Sequence, residues 1–524
     1  MDYLVHHLVR SSAVKQPDKE ALVSGQTRLS YAQVHEKIST FGSNLASLGI
    51  ERGDRVGVFL QPSIEQAVSF FGISQAGGVF VPIHHSLMAT QLSHILRDCE
   101  IRALITNPAG FEALGSIADD CPSLSEVILV GERPKGHGNL VMSDFAELCT
   151  RQSGQAVRDI SVSKDLAAIL YTSGSTGLPK GVMLSHENII AGAAIVSEYL
   201  NISESDRTFA ALPFSFDAGL NQLMTAMQNC ATCVIQNWLF ANQVVKALTE
   251  ENITGLAGVP SLWSLIAQPS AGLGREKAPH LRYITNTGGE MPQNVLGQLQ
   301  NALPDIDIVL MYGLTEAFRS TYLPADQLKQ RPTSMGKAIP NTEILVVDSE
   351  GKRCKAGEVG ELVHHGPTVS MGYWDQAEKT AELIRPHPDP PKGATVVPLV
   401  CYSGDLVKRD EEGYLYFVGR RDNLIKSSGF RISPTEVEQV LSNIDNVQQA
   451  AVVGRPHDVL GQTVVAYVVS RENIELNTDE ILAVCAERLP RHMVPRDIEV
   501  IDILPRTATG KVDYPSLKKR CAAD

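Results

Sequence analysis

Short apolar runs alternate with helical patterns through the first 160 residues, and this alternation constrains the fold more than any other feature. Strands are predicted at 54–60 and 78–83, and helices at 64–76 and 89–98. Strands that are regularly separated by helices form mostly parallel sheets, which need helices on both faces. The same pattern returns between about 200 and 315, with strand candidates at 232–235, 255–259, 283–285 and 308–311. An α/β fold is therefore predicted.

The pattern changes twice in the second half of the chain. From about 335 to 421 it consists of alternating β segments, such as 343–347 and 360–364, which predict a β-rich subdomain. Beyond Asp422 it becomes a compact α+β pattern. At 524 residues the chain is too long for one core. We therefore expect an N-terminal domain over 1–421 and a smaller C-terminal domain over 422–524.

Composition excludes several classes of function. The formal net charge of −13 is mild for this length and argues against general nucleic-acid binding. The amino terminus lacks a signal-peptide pattern, and no apolar run is long enough to span a membrane. Nine cysteines without regular spacing favour a reducing compartment, so the cytoplasm is the expected location. Cys230 and Cys233 have metal-ligand spacing, but they lead into an apolar run typical of a buried strand.

A run of Thr, Ser and Gly from Thr172 to Gly177 lies between strong apolar segments. Glycine lets a main chain curl around an anion, hydroxyl groups add donors, and Lys180 adds a positive charge. Leu166–Leu170 is predicted to be a buried strand, and Ser185 the N-cap of a following helix. The run is thus interpreted as a phosphate loop between a strand and a helix. The order of a Walker loop is absent.

The stretch from Tyr171 to Gly181 resembles, nearly residue for residue, the phosphate loop of the AMP-forming adenylating superfamily. That superfamily contains acyl-CoA synthetases, peptide-synthetase adenylation domains and luciferases. Further stretches resemble its other motifs in order: Thr287-Gly-Gly-Glu-Met-Pro292, Met311-Tyr-Gly-Leu-Thr-Glu316, Tyr402-Ser-Gly-Asp405 and Gly419-Arg-Arg-Asp422. Near the end, Leu504-Pro-Arg-Thr-Ala-Thr-Gly-Lys511 resembles the C-terminal lysine motif, with Asp513 where an Arg is usual.

The resemblance implies a site for ATP and Mg²⁺. Tyr312 would stack on adenine, Thr315 would meet the α-phosphate, Glu316 would hold Mg²⁺, and Asp405 and Arg420 would bind the ribose. A carboxylate oxygen suits a hard cation, and a short carboxylate can accept from two hydroxyl groups. The implied nucleotide-binding residues are Thr172, Ser173, Gly174, Ser175, Thr176, Gly177, Lys180, Gly288, Gly289, Glu290, Tyr312, Gly313, Thr315, Asp405, Arg420 and Lys511.

The resemblance also implies a mobile C-terminal domain. Lys511 would reach the substrate carboxylate and the α-phosphate, where an ammonium lowers the repulsion between two anions. Lys511, Thr172 and Glu316 are the implied catalytic residues. Rotation about a hinge at Asp422 would then withdraw Lys511 and present Gly429 and Phe430 beside the thiol of CoA or phosphopantetheine.

The segment Leu212-Pro-Phe-Ser-Phe-Asp-Ala-Gly219 departs from acyl-CoA synthetases of this superfamily, which usually have His at the position of Phe216. Amino-acid adenylation domains instead have an Asp that pairs with the substrate ammonium. Asp217 could act in that way or could cap the following helix. The implied pocket residues are Phe216, Asp217, Ala218, Asn221, Gly258, Thr285, Thr287, Met311, Arg319 and Ser320. Arg319 could pair with a second substrate carboxylate or with Asp217.

These features predict an ATP-dependent, AMP-forming ligase. It would activate an amino acid or a small polar acid as an adenylate, release pyrophosphate, and transfer the acyl group to CoA or to a carrier-protein phosphopantetheine. No carrier attachment motif follows Lys511. The alternatives are a fatty or aryl acyl-CoA synthetase, and more remotely an oxidative luciferase-like enzyme or a non-catalytic nucleotide-binding scaffold. The run from Tyr312 to Thr321 also resembles a bacterial acyl-CoA ligase group associated with exosortase systems.

Overall fold

The computed structural model describes residues 2–115, 120–132, 141–152, 158–172, 179–421, 423–427, 430–457, 460–471, 474–507 and 510–523. No helix within these ranges is both long and apolar enough to cross a bilayer.

The described residues form four sheets with helices packed around them. The strands are β1 (Glu20–Ser24), β2 (Thr27–Ser30), β3 (Arg55–Phe59), β4 (Val79–Ile83), β5 (Ala103–Thr106), β6 (Glu126–Leu129), β7 (Val141–Asp144), β8 (Leu166–Thr172), β9 (Lys180–Ser185), β10 (Arg207–Phe209), β11 (Thr232–Val234), β12 (Gly255–Gly258), β13 (Tyr283–Asn286), β14 (Asp307–Leu314), β15 (Ala317–Leu323), β16 (Lys337–Ala338), β17 (Glu343–Val347), β18 (Val359–His365), β19 (Ile384–Pro386), β20 (Leu399–Arg409), β21 (Leu415–Arg420), β22 (Ile425–Ser427), β23 (Phe430–Ile432), β24 (Val447–His457), β25 (Gly461–Ser470) and β26 (Asp497–Val500).

The helices follow the sequence pattern closely, and α4 has the predicted bounds. They are α1 (His7–Lys15), α2 (Tyr31–Ser47), α3 (Ile64–Gln75), α4 (Ala89–Asp98), α5 (Pro108–Leu114), α6 (Phe145–Leu148), α7 (His186–Tyr199), α8 (Asp217–Gln228), α9 (Ala241–Glu250), α10 (Pro260–Ile266), α11 (Gln293–Ala302), α12 (Ala377–Leu383), α13 (Pro434–Ser442), α14 (Thr478–Arg488) and α15 (Tyr514–Ala523).

Two large sheets carry the N-terminal part. One has the order β16-β15-β14-β13-β12-β10-β11-β1-β2, and the other β7-β6-β5-β3-β4-β8-β9. Strands β10 to β14 pair in parallel, as do β3 to β7, as the alternation with helices predicts. A shared core of fully buried side chains, including Phe41, Phe70 and Phe318, joins residues from both sheets and the helices around them.

Two five-stranded sheets follow. Strands β17 to β21 form an antiparallel sheet over the segment predicted to be β-rich, and β22 to β26 form the sheet of the C-terminal part, where β26 pairs in parallel with β25. The α/β class, with large helix-covered sheets, a β-rich sheet and a small α+β unit, is confirmed. His364 and His365 point to opposite faces of β18: His364 is 1% exposed, whereas His365 lies near Glu343.

The phosphate-loop segment differs from the sequence interpretation. It does not run from a strand directly into a helix, because β9 lies between them and pairs antiparallel with β8. The loop therefore joins two strands of a hairpin, and the N-terminus of α7 is six residues further on, since β9 spans six residues. Ser185 does cap α7: its hydroxyl accepts from Asn188 N at 3.1 Å, and the Asn188 side chain accepts from Ser185 N at 2.9 Å. The predicted order of strand, loop and helix is therefore wrong, because a strand follows the loop.

Candidate active site

A tight hairpin brings together most of the residues of the Tyr-Gly-Leu-Thr-Glu motif. Strands β14 and β15 pair antiparallel, with Leu314 opposite Ala317, so Thr315 and Glu316 form the turn. Gly313 lies where a Cβ would come within 3.3 Å of the Arg319 backbone, which explains the small residue at this position. One hairpin therefore holds Tyr312, Glu316 and Arg319.

Tyr312 is tied to the predicted ribose-binding residues. Its hydroxyl donates to Asp405 Oδ2, while Arg420 Nη1 lies 3.0 Å from Asp405 Oδ1. Asp405 is 4% exposed, and burial raises its pKa although Arg420 and the tyrosine hydroxyl oppose that rise. A buried carboxylate needs donors, and Arg420 supplies a charged one. The β20–β21 pairing places Asp405 directly opposite Arg420.

The predicted metal ligand has a partner that the motifs do not reveal. The Tyr373 hydroxyl donates to Glu316 Oε1 at 2.6 Å, and Lys180 Nζ lies 5.6 Å from the centre of the Tyr373 ring. Burial lowers the pKa of Lys180, with Lys379 adding to that effect and Glu316 opposing it. Tyr373 follows a Gly372 with φ of +100°, outside the motifs quoted above, so only the structure reveals its position.

The C-terminal part reaches the same region. Lys511 Cε lies 3.8 Å from where a Cβ on Gly288 would be, and Gly288 has φ of +77°, so glycine allows both the backbone conformation and the approach. Nearby, Gln439 Nε2 donates to the Glu290 carboxylate at 2.9 and 3.0 Å. Burial raises the pKa of Glu290. Residues on α13 and near the end of the chain therefore contact the Thr287–Pro292 loop.

His364 is a further residue near this region. It is 1% exposed, lies stacked 6.1 Å from the Tyr312 ring, and neither ring nitrogen has a hydrogen-bond partner among the described residues. Burial lowers its pKa to about 3, so the ring is neutral at physiological pH. It packs against one face of the Tyr312 ring. From the sequence, His364 was identified only as a residue of a strand.

These residues fit ATP and Mg²⁺. An aromatic ring, a buried carboxylate beside an arginine, a second carboxylate and two lysines offer the chemistry that a nucleobase, a ribose, a hard cation and phosphates each require. The glycines at 288 and 289 leave space in which a side chain would meet Val259 or Pro260. Several predicted positions lie outside the described residues: Ser173, Gly174, Ser175, Thr176, Gly177, Asp422 and Gly429. The side chain of Phe430 is likewise not described. Thr172 ends β8, opposite Lys180.

A pocket lies beside this cluster. Six of the residues predicted from the resemblance line it: Ala218, Asn221, Thr285, Thr287, Met311 and Arg319. Its other walls, which sequence reasoning missed, include the apolar side chains of Val196, Leu200 and Ile202. In the sequence these residues look like ordinary core residues, because the pocket lies at the interface between helices and the sheet.

The remaining predicted pocket residues lie around it. Phe216 stacks on His84 with centroids 5.5 Å apart, Gly258 packs against Trp263, and the Ser320 hydroxyl donates to Ala317 O at 3.1 Å. Asp217 is the first residue of α8 but makes no capping hydrogen bond, and the N-cap position belongs to Phe216. Asp217 therefore does not cap α8 by a side-chain hydrogen bond.

Asp217 faces Arg319. Its Oδ2 lies 3.6 Å from Arg319 Nη1, with side-chain exposures of 18% and 5%. Gly219, two residues after Asp217, lets the first turn of α8 pack against the preceding backbone, since a Cβ there would lie 2.1 Å from Pro213 O. Arg319 Nε and Nη1 have no hydrogen-bond partner among the described residues, nor does either end of the Asn221 amide. Buried polar groups are normally paired, so these groups are candidate ligand contacts.

Within the described part of the chain, two other clusters of histidine and carboxylate have metal-like spacing: His6 with His7 and Asp159, and Glu343 with His365 and His387. In the second, His387 Nδ1 accepts from Asp389 N at 3.1 Å, so the proton of the neutral ring is on Nε2, which faces Glu343. In the first, His7 Nδ1 accepts from Tyr3 N at 3.3 Å in the same way. A nitrogen that carries a proton cannot ligate a metal, so both clusters are structural hydrogen-bond networks.

Comparisons with known proteins agree with this geometry. The family model described as AMP-binding enzyme matches residues 9–374, and the model described as AMP-binding enzyme C-terminal domain matches 436–511. The chain belongs to the AMP-binding enzyme family. The superfamily assignment made from the motifs is confirmed.

Three similar proteins illustrate the range of this family. The chain is 29% identical to a subunit of linear gramicidin synthase from Brevibacillus parabrevis over 98% of its own length, but it spans only 10% of that protein. It is 28% identical to a 3-[(3aS,4S,7aS)-7a-methyl-1,5-dioxo-octahydro-1H-inden-4-yl]propanoyl:CoA ligase of Rhodococcus jostii (strain RHA1), covering 96% of each. Its structure is similar to that of the anthranilate CoA ligase AuaEII in complex with anthranoyl-AMP, with a TM-score of 0.89, 26% identity, and 99% and 98% of the chains covered.

Proposed function

We propose that the protein uses ATP to activate an amino acid or a small polar carboxylic acid as an acyl-adenylate, with release of pyrophosphate, and then transfers the acyl group to a thiol. The observation that carries this proposal is the approach of Lys511 to Gly288, beside the Tyr312–Asp405 pair. An ammonium there would lie where a carboxylate attacks the α-phosphorus, and it would reduce the repulsion between the two anions.

The proposed nucleotide-binding roles are those that the motif resemblance implies, and the contacts among these residues support them. Tyr312 provides the face for adenine, Asp405 and Arg420 bind the ribose hydroxyls, and Glu316, oriented by Tyr373, binds Mg²⁺. When bound, Mg²⁺ would neutralise phosphate charge and orient the leaving pyrophosphate. Lys180 and the glycine-rich segment between β8 and β9 are proposed to bind the phosphates.

Asp217 is proposed to bind the ammonium of an amino-acid substrate. It lies at the start of α8, makes no capping bond, and its Oδ2 lies 3.6 Å from Nη1 of Arg319, which lines the pocket. A partly buried carboxylate is stabilised by a cationic partner, and a substrate ammonium would be one.

The thiol acceptor is CoA or a carrier-protein phosphopantetheine. We propose a boundary at Asp422 between an N-terminal domain (1–421) and a C-terminal domain (422–524), and rotation there would break the Gln439–Glu290 contact and withdraw Lys511. Gly429 and Phe430 would then lie beside the thiol.

An aryl acid is the second candidate substrate. The apolar walls formed by Val196, Leu200 and Ile202 suit a ring, and the anthranilate CoA ligase AuaEII has a similar structure.

Pyrophosphate release should be measured with amino, aryl, short-chain and long-chain acids, each with CoA and with a phosphopantetheinylated carrier protein. Release that depends on an amino acid or a small polar acid supports the proposal. Release with aryl acids alone supports the second candidate, and no release with any acid would favour a scaffold that binds nucleotide without chemistry.

A further inference from the structure

Two buried side chains in the acid pocket have hydrogen-bonding capacity that nothing nearby uses. Arg319 Nε and Nη1 lack partners among the described residues, as do Oδ1 and Nδ2 of Asn221. Arg319 is 5% exposed and Asn221 2%, so bulk water does not reach them freely. Both residues line the same pocket. A guanidinium held in this way is costly unless a ligand accepts its hydrogen bonds.

Asp217 does not meet that need. Its nearest oxygen lies 3.6 Å from Arg319 Nη1, beyond hydrogen-bond length. The guanidinium carbon also lies 5.9 Å from the centre of the Phe318 ring, which supplies no acceptor oxygen. The Tyr199 hydroxyl, whose pKa burial raises and Arg319 lowers, is also without a partner among the described residues. Among the described residues, Arg319 thus has unused N–H groups at Nε and Nη1, on different edges of the guanidinium.

A buried cation with unused N–H groups suits an anionic partner such as a carboxylate. Arg forms strong charge-assisted hydrogen bonds with carboxylates, and Asn221 Nδ2 can donate to the same group. We propose that the acid activated by this enzyme carries a second anionic group, remote from the carboxyl group that is adenylated, and that Arg319 and Asn221 bind it. This inference rests on the proposed function, because it concerns the substrate of that reaction.

Charge balance favours an acidic amino acid within that class. Asp217 and Arg319 already form one pair, so these two side chains are neutral together. A substrate with only an ammonium would add a cation beside Arg319, and one with only a second carboxylate would add an anion beside Asp217. A substrate with both groups places each charge next to its opposite, which is the arrangement that a low-dielectric pocket stabilises best.

The test uses isosteric substrate pairs in the pyrophosphate-release assay. Aspartate, glutamate and 2-aminoadipate are compared with asparagine, glutamine and the 6-amide of 2-aminoadipate, and with succinate, glutarate and adipate, which lack the ammonium. We expect one acidic amino acid to have a kcat/KM at least about 100-fold above that of its amide. An amide or an alkyl amino acid used equally well would overturn the inference while leaving the proposed function intact. No release with any acid would instead remove the proposed function.

Two variants then assign the selectivity to named residues. Arg319→Gln should abolish the preference for the acid over its amide, whereas Arg331→Gln, which changes a largely buried arginine paired with Glu412 far along the chain, should leave that preference unchanged. Asn221→Asp keeps the shape of the side chain and places a carboxylate in the pocket, so it should raise the melting temperature of the free protein and remove binding of the acidic amino acid in titration calorimetry.

An Arg319→Gln enzyme that loses activity equally on the acid and on its amide, or an Asn221→Asp enzyme that still binds the acidic amino acid at wild-type affinity, would show that these groups are bridged by water rather than by substrate.

Discussion

The nucleotide-binding region and the acid pocket share one hairpin but differ in how the side chains proposed to bind ligand are paired. Around Tyr312, Asp405 is paired with Arg420, and Glu316 is paired with Tyr373. In the pocket, Arg319 and Asn221 have buried nitrogen and oxygen atoms without partners among the described residues. Paired groups are preorganised for a ligand common to all substrates, whereas unpaired groups gain their partners only from one particular ligand.

From this difference we expect variants of the two regions to affect activity in different ways. Changes in the nucleotide-binding region should lower activity by a similar factor for every acid, and changes in the pocket should alter the ratio between acids. The variants below test that division.

The largest effect is expected for Lys511→Ala. Loss of the ammonium near the reacting phosphate should lower the rate of adenylate formation on the order of 10²- to 10³-fold with every acid, since it removes a charge that acts mainly in the transition state. Thioester formation from supplied acyl-adenylate should be retained, and single-turnover assays of the two steps measure this. Lys519→Ala, at an exposed position of α15, is the matched control. Equal loss in both half-reactions would contradict the proposed rotation of the C-terminal domain.

Asp217→Asn tests the pocket side of the comparison. It keeps the shape of the side chain and removes its charge, so kcat/KM for amino acids should fall on the order of 10²-fold, while acids without an ammonium should lose little. Kinetics on glutamate and glutarate would measure the ratio. Asp144→Asn, at the N-cap of α6, controls for the general effect of removing a carboxylate at a helix start. An unchanged ratio would exclude ammonium recognition by Asp217.

Tyr373→Phe should have a smaller effect that does not depend on the acid. The hydroxyl donates to Glu316 at 2.6 Å, and its loss should cost about 1–2 kcal/mol, or roughly 10-fold, in activity while raising the Mg²⁺ concentration that gives half-maximal rate. Titration with Mg²⁺ measures the shift. Tyr416→Phe, which removes a similar bond to Asp410 elsewhere, is the control. A Tyr373→Phe enzyme with a changed preference among acids would contradict the proposal that the nucleotide-binding region does not affect acid selectivity.

The smallest effect on activity is expected for Glu438→Gln on α13, which should change stability only. Burial raises the pKa of Glu438 from 4.5 to about 7, and hydrogen bonds from Val452 N and the Tyr514 hydroxyl oppose that rise. A raised pKa contributes stability that is present below about pH 4.5 and is lost as the pH rises through about 7.

The variant should therefore be more stable than the wild type at pH 8, by at most about 3 kcal/mol, and should lose this advantage at pH 5. Chemical denaturation at both pH values measures this, with Glu487→Gln, an exposed position on α14, as the control. A pH-independent difference would contradict the raised pKa.

The sequence predicted the fold well because its strands and helices follow plain periodicities. Helix α4 and the Ser185 cap were found residue by residue. The hairpin of β8 and β9 was missed, because Lys180–Ser185 is short and leads directly into the helix pattern. A pairing between strands is a long-range property that local patterns do not contain.

The site was predictable only where a motif carries it. Tyr312, Asp405 and Lys511 come from recognisable stretches, and the structure brings them together, although their roles remain proposals. Tyr373 and His364 could not be found in this way, because each acts through a contact across distant strands. The unused N–H groups of Arg319 were also invisible in the sequence, since whether a buried donor has a partner depends on every side chain around it.

The hairpin formed by β14 and β15 has one further consequence. Tyr312 and Arg319 lie on paired strands that share a two-residue turn. The distance between the proposed binding positions of the adenine and of the remote anionic group of the substrate is therefore fixed by the sheet rather than by flexible loops. An acid longer or shorter by one methylene group would present its reactive oxygen at the wrong distance from phosphorus even if both of its ends were bound. The enzyme would then select its substrate by chain length as well as by charge.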